Sequence, residues 1–263
     1  MKKILSLAFI ALMFSGLYAQ TTTVTTTPLY STGWQKTRIG LKITPGVSWL
    51  TSDKSSMAYK LPGFTIGAGV QIEHALSKTI SFVWGGDVSV HSGTVAFDQT
   101  HAVSFITYKD VTQKNDTTAG MQSRQYNFQN VDIPLCLKLK TNEIGHYTYW
   151  LQVGLLSSVM WKAHASNSIY KDANGNSSQL AGDLSNIDVK NETYLIRESL
   201  IAGAGIEYNL SGSTDLLLGL NYISGFTSTL SPTSPTLIYS ATKGALPQSL
   251  FSNYIALTAG ILF

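Results

Sequence analysis

The sequence contains little charge. Only 13% of its 263 residues are Asp, Glu, Lys or Arg, about half of the ~25% found in an ordinary soluble domain. Cys136 is the single cysteine, which excludes a disulfide scaffold. Beyond residue 20, no apolar run reaches the ~18–20 residues that cross a bilayer as a helix. Because 44% of the residues are hydrophobic, a disordered chain is excluded as well. The chain must therefore keep a large apolar surface away from water by some structure other than a membrane-spanning helix.

The N-terminal residues have the three parts of a secretory signal. Lys2 and Lys3 precede an apolar stretch over residues 4–14, and Ala19 is a small residue suited to the position before cleavage. An uncleaved N-terminal helix is the alternative. The formal net charge of the full sequence is +3. Cleavage would remove Lys2 and Lys3, so this small positive charge does not indicate a nucleic-acid partner. We expect a signal peptide, a threonine-rich leader and a folded barrel domain over residues 1–19, 20–36 and 37–263.

The rest of the sequence alternates apolar and polar residues with a period of two, the pattern of β-strands that have two different faces. In the first segment, Ile39, Leu41 and Ile43 alternate with Gly40 and Lys42. The predicted strands are longer than ordinary soluble strands. Twelve residues at ~3.3 Å each, tilted by ~40°, cover about 30 Å along a barrel axis. The pattern predicts eight strands, over residues 38–49, 64–73, 80–91, 131–140, 147–159, 199–208, 215–222 and 255–263.

Residue size indicates which face of each strand meets lipid. A lipocalin-type soluble barrel also alternates, with its apolar side inward. The inside of an eight-stranded barrel is only wide enough for side chains, so small residues belong there. Here the apolar phase is bulky, whereas the polar phase contains Gly40, Gly67, Gly69, Gly85, Gly154, Gly203, Gly205 and Gly219. Glycine weakens strands, and a water-facing exterior would not need so many. We therefore expect the bulky face outside, against lipid.

The predicted connections alternate between short and long. Short ones fall at 75–78, 141–145 and 211–213, and long ones at 51–62, 93–124, 162–193 and 227–250. Transmembrane barrels have short periplasmic turns and long outer loops. The sequence therefore predicts an all-β fold, an eight-stranded antiparallel up-and-down transmembrane β-barrel in the cell outer membrane, with both termini in the periplasm.

Aromatic residues of the apolar phase gather near the predicted strand ends. Such girdles are typical of membrane interfaces, although strand-end aromatics in a β-sandwich core are an alternative. The outer group is Trp49, Phe64, Trp161, Tyr222 and Phe251, and the inner group is Phe82, Tyr147, Tyr208 and Phe263.

Three segments resemble one family of barrels. Gly40-Leu41-Lys42 opens the first strand, residues 130–138 read NVDIPLCLK, and residues 257–263 read LTAGILF. Together and in this order they are similar to the PorT-like outer-membrane β-barrels of Bacteroidetes. The resemblance implies a barrel in the outer membrane, and a role in protein secretion only for some members. The long connections 93–124 and 162–193 depart from the pattern of that family.

The C-terminal strand also carries a pattern of the kind that the barrel-assembly machinery reads. It ends in an aromatic residue with apolar residues at alternate positions before it, namely Leu257, Ile261 and Phe263. We therefore expect this machinery to be a partner during biogenesis.

The inward phase carries as many acidic as basic residues. An unpaired buried charge is very costly, so we expect these residues to pair and to plug the lumen. A proton- or ion-selective path is the alternative, since rings of charge set selectivity in channels, but the balance of signs disfavours it. The predicted lumen charge network is Arg38, Lys42, Lys138, Lys140 and Arg197 against Glu73, Asp87, Asp132, Glu207 and Asp215.

No residues have the spacing of a catalytic or metal site. His91, Asp98 and His101 lie near the predicted top of the third strand, and His164 and Asp172 lie in a later loop. A hydrolase at the outer rim would need a His beside a carboxylate, with a nucleophile or an activated water, and lone histidines are more often structural. No His or Cys pair has the spacing of metal ligands. We expect no enzymatic activity, cofactor or metal.

Two functions remain open. The first is a structural or binding scaffold whose long outer loops hold a surface molecule, because loops carry function on a rigid scaffold. The second is an accessory component of a secretion or gliding assembly, contacting a protein partner through the periplasmic turns or the lipid face. In both cases we expect a monomer surrounded by outer-membrane lipid. The loop residues expected to make contacts are Tyr108, Tyr126, Phe128, Tyr170, Tyr239 and Lys243.

Overall fold

The structure is a computed structural model that describes residues 36–97, 103–108, 115–118, 120–171, 176–179, 186–239 and 245–263. Its strands are β1 (Thr37–Ile43), β2 (Gly46–Thr51), β3 (Met57–Ala75), β4 (Ile80–Phe97), β5 (Val103–Tyr108), β6 (Asn115–Thr118), β7 (Met121–Lys140), β8 (Tyr147–Lys171), β9 (Ser177–Gln179), β10 (Asn186–Asp188), β11 (Ile196–Ser211), β12 (Thr214–Gly225), β13 (Thr233–Tyr239), β14 (Ala245–Pro247) and β15 (Phe251–Leu262). A short 3-10 helix covers Lys190–Glu192. No helix in these ranges is long and apolar enough to cross a bilayer.

The long strands close into a ring of hydrogen bonds. Its order is β1–β15–β12–β11–β8–β7–β4–β3 and back to β1, with every pairing antiparallel. The first position of the ring is shared by β1 and β2, which both pair with β3 and β15 and are separated by Thr44 and Pro45. Pro45 has no N–H to donate to the ladder, so the predicted strand 38–49 is interrupted there. The predicted eight-stranded antiparallel barrel is confirmed.

The two faces of the strands differ as the alternation predicts. The outward side chains of Leu41, Val153 and Leu257 are 61%, 58% and 61% exposed, whereas the inward neighbour Thr258 is only 4% exposed. A closed ring leaves no strand edge in lipid, where an unpaired backbone group is costly. The bulky face therefore meets the bilayer, and the polar face lines the lumen.

Four strands extend into the outer connections that the sequence predicts. Strands β3, β4, β7 and β8 include residues that the sequence predicts as loops, namely 57–62, 93–97, 121–124 and 162–171. The connection predicted at 51–62 is correspondingly reduced to residues 52–56. Pairs such as Met57 with Phe97 and Met121 with Tyr170 join these extensions. The outer part of the barrel is therefore strand rather than loop.

Parts of two long outer connections form a second sheet, which we call the outer sheet. Its order is β14–β13–β5–β6. Phe105 of β5 pairs with Leu237 of β13 on one side and with Thr118 of β6 on the other. The outer sheet therefore joins the β4–β7 connection to the β12–β15 connection.

A cluster of buried apolar side chains fills the outer end of the barrel, and we call it the outer core. Its members flank or belong to all four outer connections, so the loops meet around a common centre. They are Leu50, Met57, Val95, Phe97, Met121, Tyr126, Phe128, Met160, Ala163, Ala165, Val189, Leu230, Leu246 and Leu250.

Inward glycines make room for Trp150. The indole of Trp150 is only 4% exposed and clusters with Leu217 and Leu262. A Cβ atom built on Gly219 would lie 2.2 Å from Cζ2 of Trp150, and one built on Gly205 would lie 2.6 Å from it. The space that these glycines leave is filled by the ring, as the narrow interior of a small barrel requires.

Replacing Gly219 with Val is expected to lower the free energy of unfolding by about 1–3 kcal/mol, because the new side chain must displace the buried indole ring. The matched control is Gly86→Val, at a strand position where a Cβ would have nothing within 4 Å. A urea titration in detergent micelles, followed by the different gel mobility of folded and unfolded barrels, measures both variants. Equal stability of the two would contradict the close packing of the lumen.

Candidate functional site

The inner end of the lumen holds a set of ion pairs that we call the inner network: Arg38, Glu73, Lys138, Lys140, Glu207 and Asp215. Lys138 is fully buried, and its Nζ donates to Glu73 Oε2 at 2.9 Å and to Glu207. Lys140 also donates to Glu73. Arg38 contacts Glu73 at 3.1 Å, Glu207 at 2.6 Å and Asp215. Three cations thus neutralise three carboxylates.

The barrel register brings the inner network together. Arg38 on β1 lies directly opposite Glu73 on β3, while Lys138 and Glu207 project inward from β7 and β11. The ammonium group of Lys138 also lies 5.1 Å from the centroid of the Trp150 ring, within cation–π range. Because removing these charges from water is costly, their mutual contacts are what makes their burial tolerable.

The middle of the lumen contains a further ion pair and a chain of amides. Lys42 Nζ lies 2.8 Å from Asp87 Oδ2. Gln152 Nε2 donates to Asn221 Oδ1 at 2.7 Å, and Asn221 Nδ2 donates to Thr258 Oγ1 at 2.6 Å. The amide chain links β8, β12 and β15 across the interior.

Farther outward, a hydrogen-bonded group surrounds His91. Ser89 Oγ donates to Asp132 Oδ2 at 2.5 Å and lies 2.9 Å from His91 Nε2. Thr65 Oγ1 lies 2.7 Å from His91 Nδ1. Since Ser89 gives its single hydroxyl proton to Asp132, its contact with the imidazole requires that His91 Nε2 carries the proton between them. The Tyr254 ring packs on the imidazole, with centroids 4.5 Å apart.

This group contains Ser, His and Asp, but not in a catalytic order. In a catalytic triad the imidazole lies between the nucleophile and the carboxylate. Here Ser89 lies between them, and His91 Nε2 is 3.6 Å from Asp132 Oδ2. All three side chains are buried. The arrangement joins β4 to β7, and it offers no exposed nucleophile.

Arg197 lies between the lumen and the outer core. It is 4% exposed, its Nη1 donates to Thr229 Oγ1 at 3.2 Å, and its guanidinium carbon lies 5.8 Å from the centroid of the Phe128 ring. The sequence groups Arg197 with the other lumen charges, whereas the structure places it apart from the inner network. It connects the lumen to the side chains that close its outer end.

A small cavity remains in the middle of the lumen. It offers about 40 Å³ to the centres of water molecules, and a single water needs roughly 10–15 Å³ on that measure. Lys42, Asp87, His91 and Gln152 contribute to its lining. Lys138 of the inner network also lines it. This arrangement favours isolated waters over an ion path.

In the described part of the chain, no group of three or more His, Cys, Asp or Glu side chains is arranged so that it could hold a metal ion. Of the other residues considered for catalysis, His164 is half-buried on β8. The remaining ones, which lie outside the described residues, are Asp98, His101 and Asp172.

Two residues predicted to contact a ligand are buried instead. Tyr126 and Phe128 have no exposed surface and stack in the outer core, with ring centroids 5.9 Å apart. The prediction is wrong for these residues because the inward phase of β7 runs on from Asp132 through Asn130 to both of them. Extending the alternation of the predicted strand 131–140 back to residue 126 would have found them.

The other predicted contact residues belong to the outer region. Tyr170 packs against the outer core. Tyr108 and Tyr239 are the last residues of β5 and β13, and Lys243 lies outside the described residues.

The predicted assembly signal lies on the lipid face of the last strand. Leu257, Ile261 and Phe263 are 61%, 40% and 53% exposed. Strand β15 closes the ring by pairing with β12 on one side and with β1 and β2 on the other. Recognition of these residues by the barrel-assembly machinery stays a prediction.

Comparison with known proteins places the chain in a family. Residues 18–231 match the family model described as outer membrane protein beta-barrel domain, so the chain belongs to that family and is a small outer-membrane β-barrel protein. A search of curated protein sequences found no match. The narrower resemblance to PorT-like barrels stays a prediction.

Several solved outer-membrane barrels have similar structures. Neisserial surface protein A is 10% identical with a TM-score of 0.42, over 87% of this chain and 96% of that one. OprG from Pseudomonas aeruginosa is 8% identical with a TM-score of 0.42, over 86% and 94%. Ail of Yersinia pestis is 14% identical with a TM-score of 0.33, over 87% and 100%.

Lys138→Met is expected to lower the free energy of unfolding by about 3–5 kcal/mol, because Glu73 and Glu207 lose the cation between them. Lys54→Met is the matched control. It removes an exposed lysine whose Nζ lies 3.5 Å from Asp53, and it should change the free energy by less than about 1 kcal/mol. Unfolding in urea, monitored by gel mobility, gives both values. Similar effects of the two substitutions would show that the inner network is solvated rather than buried.

Proposed function

We propose that the protein is a closed barrel that serves as a binding scaffold, with its binding surface on the outer sheet. The observation that carries the proposal is the pairing of β5 with β13, which unites two outer connections in one folded element. Loops that are already folded lose little conformational entropy when they bind. Binding residues are commonly placed on such loops above a rigid scaffold.

Contacts below the outer sheet support this role. The outer core fixes the outer connections from inside the barrel. At the rim, Ser56 Oγ donates to the backbone oxygen of Pro247 at 3.0 Å. A hydrogen bond with Ser249 lowers the pKa of the exposed Asp53 carboxyl below its ordinary value. The β2–β3 connection is thereby tied to the segment that precedes β15.

The filled lumen is the reason for placing the function outside the barrel. The inner network occupies one end and the outer core the other. Transport through the interior would require both to move. Catalysis is not included in the proposal, because the group around His91 is buried and lacks the order of a triad.

The accessory role in a secretion or gliding assembly is the second candidate. It is supported by the resemblance of residues 130–138 to the PorT-like strand. Such a role would place the protein partner at the periplasmic turns or on the lipid face, rather than at the outer sheet.

A purified sample in a planar bilayer is expected to show no stepwise ion current, because the cavity has room only for isolated waters. A porin reconstituted in the same way provides the positive control. Current steps of porin size would contradict the closed lumen and favour the ion path.

Replacing residues 103–118 with a short Gly-Ser linker removes β5 and β6, and it is expected to abolish the cross-links between the outer side of the protein and its partner. The measurement is cross-linking of intact cells followed by mass spectrometry. The control carries the same linker at the turn formed by Gly212 and Ser213, and it should keep the outer cross-links.

The other possible cross-linking results distinguish the scaffold from the accessory role. Cross-links that survive loss of β5 and β6 and map to the periplasmic turns would favour the accessory role. A wild-type protein without any outer cross-links would count against the scaffold. The heat-dependent gel shift of each variant confirms that its barrel is folded.

A further inference from the structure

The outward face of β11 carries a carboxylate among apolar side chains. Glu198 shares this face with Ile196 and Leu200, which are 50% and 53% exposed. The intervening residues, Arg197 and Ser199, are buried on the lumen side. No other Asp, Glu, Lys or Arg of the described ring strands lies between two exposed large apolar residues of its own face. Glu198 therefore interrupts the apolar phase of the wall with an acidic group.

The neighbouring strands surround Glu198 with further side chains. Ser157 lies directly opposite it on β8, and Ser157 Oγ donates to Glu198 Oε2 at 2.8 Å. Leu155 is 45% exposed on the same face of β8. The N–H of Phe226, whose side chain is 51% exposed, donates to the Glu198 backbone oxygen at 3.2 Å. We call this group the Glu198 patch, and its members are Leu155, Ser157, Ile196, Glu198, Leu200 and Phe226.

The Glu198 carboxylate has a hydrogen bond but no cation beside it. Ser157 is the partner of its side chain, and no Lys or Arg of the described residues forms an ion pair with it. The adjacent Arg197 turns into the lumen, where its guanidinium contacts Thr229 and Phe128. Ionisable side chains on a surface that meets lipid are costly, and they usually have a partner. The patch therefore needs a positive group that only another molecule can supply.

The surroundings of the carboxylate indicate where that positive group comes from. Strand β11 runs from Ile196 inward to Glu207 of the inner network, so Ile196 lies on the outer side of Glu198, and Phe226 follows the outer end of β12. A lipid headgroup would have to reach past these two apolar side chains. A second copy of the chain would bring the same carboxylate on the same face, and like charges repel. A basic side chain on the wall of another membrane protein reaches Glu198 from the side, while its apolar surroundings cover Leu200 and Phe226.

We infer that the Glu198 patch binds another integral membrane protein, which pairs a lysine or arginine side chain with Glu198. A central polar contact surrounded by apolar contacts that exclude water is typical of protein interfaces. Enclosure between two apolar walls strengthens the attraction, because the local dielectric constant is low. The contact does not depend on binding at the outer sheet, and it gives the accessory role a defined surface.

The test places the photoreactive amino acid benzoylphenylalanine in the patch, at position 200, and at position 66 as the matched control. Leu200 and Ile66 are 53% and 46% exposed on the lipid-facing surface, but Ile66 is on β3, four strands from β11 in either direction around the ring. Full-length protein is irradiated in its own membranes, and each adduct is identified by mass spectrometry. The probe at position 200 is then combined with Glu198→Gln, which keeps the shape of the side chain. Asp53→Asn is the control for charge, because Asp53 is an exposed carboxylate outside the strands.

A cross-link from position 200 to one other protein is expected, and Glu198→Gln should lower its yield at least about tenfold, since the partner's cation loses its counter-ion. Position 66 should give lipid adducts, and Asp53→Asn should leave the cross-link from position 200 unchanged. Lipid adducts alone at position 200, or a cross-link to a second copy of the chain, would overturn the assigned occupant. A protein cross-link that persists in Glu198→Gln would overturn the role of the carboxylate.

The variant without β5 and β6 separates this contact from binding at the outer sheet. It should keep the cross-link from position 200, so failure at the outer sheet and failure at the Glu198 patch are distinguishable. Loss of the cross-link in that variant would assign the contact to the outer sheet instead. The gel shift on heating shows that each variant is folded, and Glu198→Leu repeats the test if Glu198→Gln is not.

Discussion

The contact of Lys138 with Glu73 and Glu207 is the interaction on which the closed barrel depends. An eight-stranded barrel has an interior too narrow for a free column of water, so every charge inside it needs a protein partner. Lys138 shares its ammonium group between two carboxylates, and Arg38 and Lys140 complete the neutralisation. The low charge of the sequence follows, because lipid covers the outside and much of the remaining charge is used inside.

A second constraint is that the backbone groups of the ring must be hydrogen-bonded, because lipid offers them no partners. The break at Thr44 and Pro45 shows how the ring satisfies it. Proline cannot donate to the ladder, yet the neighbouring groups are paired. Thr44 N donates to the Gly67 oxygen at 2.8 Å, and Leu257 N donates to the Pro45 oxygen at 2.8 Å. The wall therefore stays closed at the break.

Local alternation explains which parts of the structure could be predicted. The inward position of Glu73, Asp132 and Lys138 follows from the alternation of apolar and polar residues, which can be seen within each strand segment alone. The pairing of β5 with β13 has no such signal, since it joins two segments that are distant in the chain. Tyr126 and Phe128 were within reach of prediction, because the same alternation continues into them. Their aromatic character in a long connection instead suggested an exposed surface.

The composition of the outer core has a consequence for the order of biogenesis. Leu50 belongs to the first position of the ring, whereas Leu246 and Leu250 immediately precede the last strand. These residues can meet only when the two ends of the barrel sequence have come together. The complete outer core can therefore form only when the ring is closed. Its burial stabilises the closed barrel against opening between the first and last strands.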